Sequence, residues 1–170
     1  MATTEVLDFI KPSQMVPIHG DPGTTNLVRV GDGLVAGFPL PKLDGVGFTF
    51  VSRIPALGTP VGTGLTFGLL LVDDPGNTGA GLVVRVGITV KKIVSGTDTL
   101  TFTGADTETE ASVTMDATTG EVVAAAVACT AIDSLAASSW YLVRVRRLGI
   151  ASTDTHLGRV ICIGAEVRDT

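Results

Sequence analysis

Residues 81–94, "GLVVRVGITVKKIV", decide the fold class. Leu82, Val84, Val86, Ile88 and Val90 fall on one side of an extended chain, and Val83, Arg85, Thr89 and Lys91 fall on the other. Apolar residues at every second position make a strand with one face on a core and one on water or a partner. A helix would need them three and four apart. The same rhythm runs upstream. "GFTFVSRIP" (47–55) points Phe48, Phe50 and Ile54 inward and stops at Pro55, which cannot donate to a ladder. "GLTFGLLLVDD" (64–74) points Leu65, Phe67, Leu69 and Leu71 inward, and its adjacent Asp73 and Asp74 lead into the turn "DDPGNTGAG".

Downstream, "ETEASVTM" (108–115) sets Ala111, Val113 and Met115 against Glu108, Glu110, Ser112 and Thr114. In the terminal pair, Tyr141, Val143 and Val145 oppose Trp140, Leu142, Arg144 and Arg146, with Arg147 beginning the turn. After "ASTDTHLG" (151–158), Ile161, Ile163, Ala165 and Val167 oppose Cys162, Glu166 and Arg168. "GEVVAAAVACTAIDSLAAS" (120–138) is alanine-rich enough for a helix. Its surroundings favour a strand buried on both faces, then a loop. "LVAGFPLPKLDGVG" (34–47) reads as a loop pinned by Pro39 and Pro41. The whole is an all-β chain of short strands joined by Gly/Pro/Asp/Thr turns, an antiparallel two-sheet sandwich. Residues 1–22, with Pro12 and Pro17 and weak alternation, read as an extended N-terminal arm that needs a neighbour to become ordered. Residues 23–170 form the sandwich.

Composition narrows the partners. The 170 residues suit one domain, and a mean hydropathy of +0.45 beside only 17% charged residues points to a surface partly covered in an assembly. The net charge of −5, without any Lys/Arg run, argues against nucleic acid and anionic membranes as partners. No apolar run approaches the roughly 20 residues that span a bilayer. The N-terminus lacks the basic and apolar regions of a signal peptide. Cytoplasmic synthesis follows as the expectation. Cys129 and Cys162, distant in sequence and set in apolar runs, read as buried free thiols.

Catalytic patterns are thin. The histidines are His19 and His156, and neither stands near a nucleophile elbow; "TDTHLG" reads as a polar hairpin or Greek-key loop. Two isolated His and two isolated Cys give no zinc spacing, and the alternating acids of "DTETE" (106–110) lack the glycine turn of a calcium loop. No cofactor is expected. Arg144 and Arg146 share one strand face, where three roles are open: cross-strand ion pairing with the acids of a neighbouring strand (Glu166 beside Arg168) or of "DTETE", forks to a partner's carboxylates, and, least, nucleic acid.

The C-terminal three quarters resembles the jelly-roll domain of tailed-bacteriophage decoration (cement) and head-fibre proteins. The resemblance runs through "GFTFVSRIP", "LVVRVGITV", "ETEASVTM", "VVAAAVACTAIDSLAAS" and, most specifically, "WYLVRVRRLGIASTDTHLGRVICIGAEVRDT" (140–170). It implies a jelly-roll sandwich, homo-oligomeric as a dimer or trimer, on the outer capsid surface of the virion. The implied partner is the major capsid protein of a tailed phage. On that expectation Val6, Leu7, Phe9, Ile10 and Met15 of the arm, with Arg144 and Arg146, are candidate capsid or subunit contacts. The alternative is a carbohydrate- or host-surface-binding jelly roll, for which one Trp and one Tyr are a thin supply of stacking rings.

Overall fold

A computed structural model describes residues 6–17, 26–30, 33–53, 64–73, 82–104, 106–115, 121–130 and 139–169. Its strands are β1 (Val6–Ile10), β2 (Val16–Pro17), β3 (Asn26–Val30), β4 (Gly33–Leu40), β5 (Asp44–Arg53) and β6 (Leu65–Asp73). They continue as β7 (Val83–Ile93), β8 (Glu108–Thr114), β9 (Val122–Cys129), β10 (Trp140–Leu148) and β11 (Val160–Asp169). Among the described residues the helical content is one 3-10 turn, Pro12–Gln14.

One sheet runs β3-β4-β11-β6-β9 with β1 added on β11, and the other runs β2-β5-β10-β7-β8. All pairings are antiparallel. From β4 onward each connection crosses to the other sheet except β7–β8, which is the winding of a jelly roll. The inward residues of both sheets form one core. Phe38, Phe48, Phe67, Leu69, Leu71, Val86, Ile88, Val143 and Val145 are buried in it, with the Phe38 and Phe48 ring centroids 5.2 Å apart.

Four readings of the sequence change here. Residues 6–17 of the arm need no second molecule: β1 pairs with β11 through Val6↔Arg168 to Ile10↔Ala165, and β2 pairs with β5 at Val16↔Thr49. Residues 6–17 therefore tie the two sheets together along one side of the sandwich, and Ile10 and Met15 enter the core. The segment with Pro39 is strand, not loop. Pro39 is tolerated because β3 covers only Gly33–Gly37, so the missing N–H falls beyond the end of that neighbour. In β11 the alternation slips: Val160 and Cys162 face the core, then Ala165 and Val167 do, while Ile161 packs with Val72 on the opposite side. A bulge between Cys162 and Gly164 inserts the extra residue that shifts the phase. Finally, β9 is the strand foreseen, but only Val127 and Cys129 are buried and Ala124, Ala126 and Ala128 are exposed. As an edge strand of its sheet it has nothing packed on its outer face among the described residues. Ile54 lies outside the described residues.

Candidate functional site

Strand β10 organises the polar chemistry on both of its faces. It sits between β5 and β7, so every side chain on it has a neighbour on each side. Arg146 is opposite Gly47 and Gly87, and Gly87 is opposite Glu110 on β8. With no side chain at Gly87, the Arg146 fork crosses the strand and meets Glu108. Nε donates to Oε1 and Nη2 to Oε2, both at 2.6 Å. A methyl group on Gly87 would sit 2.6 Å from the Glu108 carboxylate.

Arg144 lies one row along. It donates through Nη2 to Thr89 Oγ1 at 2.9 Å, stacks its guanidinium 4.7 Å from the Phe102 ring and approaches Glu108 at 3.9 Å. Burial and the neighbouring Arg146 lower its pKa from the ordinary arginine value. Phe102 reaches it because the β7–β8 connection folds back over this face, where Lys91 Nζ donates to the Thr99 and Thr101 carbonyls at 3.3 and 3.0 Å. Arg85 completes the network with bonds to Glu110 and Ser112. The acids of "DTETE" are thus the partners of these arginines. Glu166 and Arg168 pair with each other on the opposite sheet, because the β10–β11 connection crosses the sandwich. A partner's carboxylate at Arg146 would have to displace Glu108.

Arg147 faces the other way. It is wholly buried and does not begin a turn. Its Nε and Nη2 donate to the two oxygens of Asp154, each at 2.8 Å, and Nη1 donates to the carbonyls of Gly158 at 2.5 Å and Leu40 at 3.2 Å. Nη2 also reaches the His156 carbonyl. Asp154 in turn accepts the Arg85 amide at 3.1 Å. One buried fork therefore fixes the end of β4, the start of β7 and the whole β10–β11 loop.

His156 and Asp73 extend the cluster, both buried. His156 Nδ1 lies 3.2 Å from the Gly158 carbonyl, an acceptor only, so that nitrogen carries a hydrogen. Nε2 then stands 2.8 Å from Asp73 Oδ1, outside hydrogen-bond alignment. Burial raises the Asp73 carboxyl above its ordinary value, opposed by His156 and Arg147. The turn read at Asp73 and the polar loop read at His156 conceal this pairing, because only the sheet crossing brings them together.

Around the anchor the loops end in apolar tips. Leu43, Ile150 and Leu157 are exposed, the latter two at 79%. A methyl on Gly149 would lie 2.8 Å from the Leu43 amide, so the β4–β5 turn and the β10–β11 loop abut. At the other end of the β10 outer face, Trp140 is 48% exposed beneath the Arg53 guanidinium, 5.4 Å from its ring centroid, with exposed Val51 nearby on β5. Of the arm candidates, Phe9 is exposed, Ile10 and Met15 are buried and unavailable to a partner, and the side chains of Val6 and Leu7 lie outside the described residues. No group of three His, Cys, Asp or Glu among the described residues is placed to hold a metal.

No protein-family model and no curated protein matches the chain. Among solved structures it is similar to an arabinose-bound α-L-arabinofuranosidase, with a TM-score of 0.46 and 14% identity over 93% of this chain. The match spans only 23% of that enzyme chain, and a likeness of this degree carries no argument about function.

Proposed function

We propose that this protein is a structural, adhesive sandwich that decorates the outer surface of a tailed-phage capsid shell and holds its major capsid proteins together. The observation that carries the reading is the contrast around Arg147. The buried Arg147 fork is consumed by Asp154 and three carbonyls, while the loops it fixes present Leu43, Ile150 and Leu157 to the outside. Apolar tips on rigid loops lose little entropy on docking, which suits adhesion. Many modest contacts repeated over a shell add up by multivalency. Cosedimentation of the purified chain with empty tailed-phage heads tests this. Binding that weakens when Ile150 and Leu157 are changed to Ser supports the proposal; a chain that stays in the supernatant at all ratios overturns it.

A second reading, sugar binding, rests on Trp140. Its half-exposed ring beside Arg53 offers a stacking surface with a cation at hand. A glycan array with the wild type and Trp140→Ala separates the two, since capsid attachment through the apolar tips leaves Trp140 idle.

A further inference from the structure

The end strands of the two sheets, among the described residues, are guarded in different ways, and β3 carries Arg29. Strand β8 carries Glu108 and Glu110 on its outer face. Strand β2 is two residues long and ends in Pro17. Strand β1 has a register irregularity between Val6 and Asp8. Short length, charge, proline and bulges are the ordinary protections against edge-to-edge pairing. Strand β9 has none of them. "VVAAAVAC" runs eight residues without charge, proline or glycine, and its register with β6 is unbroken from Leu65↔Cys129 to Val72↔Val122. The result is an unbroken edge of about 26 Å. Every second residue on it turns its N–H and C=O away from β6. The outward side chains beside those groups are Ala124, Ala126 and Ala128, all exposed and too small to shield the backbone.

We propose that β9 is a self-pairing edge: two copies of this chain join through antiparallel β9–β9 hydrogen bonds about a two-fold axis, fusing their β9-bearing sheets into one continuous sheet. Three features choose a second copy as the occupant. A two-fold sets a strand against itself, which is tolerable only where like charges do not meet, and β9 is a long edge without charge, whereas the uncharged β2 has only two residues. The same operation on β8 would bring Glu108 and Glu110 towards their own images. In an antiparallel register that keeps outer face beside outer face, alanines oppose alanines, and the Glu121 that precedes the strand lies at opposite ends of the interface in the two copies. Next, at a net charge of −5 the copies repel overall, so close approach is least costly at an uncharged strip. Lastly, self-pairing consumes the edge in both copies, so association closes at two and does not propagate into a fibre. The inference rests on the sheet edges alone and stands apart from the capsid proposal.

Analytical ultracentrifugation of the full chain in reducing buffer provides the test, comparing the wild type with Ala124→Lys/Ala126→Lys. Both substitutions fall on exposed outward positions, so an unchanged far-UV circular dichroism spectrum is expected. The wild type should sediment as a dimer, and the lysine variant should dissociate at least about tenfold more readily, as like charges face each other across the pair. A wild type that is monomeric at high concentration overturns the proposal. So does a dimer indifferent to the lysines, or a trimer in place of a dimer. Hydrogen exchange gives a second measurement: alternate β9 amides should be more protected in the dimer than in the monomer obtained by dilution or in the lysine variant, and equal β9 exchange in dimer and monomer rules the edge out.

Discussion

Arg146 and Arg147 are adjacent in the chain and chemically identical, yet they belong to different worlds. Arg146 lies on the outer face of β10, a quarter exposed, and meets Glu108 across the gap left by Gly87. Arg147 lies on the inner face, fully buried, and holds Asp154 together with three carbonyls. Water competes for the first and not for the second. The lesson is that the same fork is a surface ornament or a structural keystone according to one peptide's rotation, because strand side chains alternate.

The largest effect should come from breaking the buried member. Arg147→Met leaves the Asp154 carboxylate buried without its cation, which costs about 3–5 kcal/mol. Thermal unfolding should drop by roughly 10 °C, given 2–4 °C per kcal/mol for a chain of this length. The double variant Arg147→Met/Asp154→Leu should recover part of that loss. A drop no larger than that of Arg146→Met would erase the contrast between the two faces.

Cys162 extends the comparison to a core-facing thiol. Burial pushes its pKa from 9.0 up to about 12. The folded state therefore keeps its proton above pH 9 while the unfolded chain releases it, so this contribution is present below pH 9 and is lost as pH rises towards 12. Stability should fall by about 1.4 kcal/mol per pH unit in that window. Urea midpoints from pH 8.5 to 10.5 should show a shallower decline in Cys162→Ala. In the native protein at pH 8, a thiol reagent should leave Cys162 unmodified until denaturant is added; rapid labelling would contradict the packing around it.

The outer face should yield the smallest changes. Gly87→Ala pushes Glu108 away from Arg146 and should cost about 1 kcal/mol, and Arg146→Met no more than that. Both should shrink further in 0.5 M salt, which screens exposed charges, whereas the Arg147→Met loss should not. An equal salt response on both faces would mean that burial does not separate them.

Much of the fold was legible where alternation is strong. The inward sets of β5, β6, β7 and β8 are those that the sequence pattern assigns, among the residues described. Trouble came where local signals and tertiary placement diverge. Pro39 reads as a strand breaker until its neighbour is seen to end two residues earlier. The bulge at Ile163 carries no mark beyond the following Gly164, and it reverses the phase of half of β11. The arm looks unpartnered in sequence because its partners, β5 and β11, come long after it in the chain. For the anchor, Arg147 offered one faint signal: it continues the inward series Tyr141, Val143, Val145. A charged residue on a core face asks for a buried counterion, and Asp154 is the acid in the adjoining loop.

By itself the sequence determined the class of the molecule: period-two alternation with turn residues between leaves an antiparallel sandwich as the way to bury one face of every strand. It also determined that charge is scarce and that no familiar catalytic spacing is present. Only the tertiary structure decided which polar residues matter. Arg147, Asp154, His156 and Asp73 come from three separate stretches, and Glu108 reaches Arg146 across an intervening strand. The physical reason is that alternation reports which face a residue takes, a local property. Which strands lie side by side is settled by how the two sheets wind together, and that global arrangement places charges against one another or leaves a strand such as β9, among the described residues, at the end of its sheet.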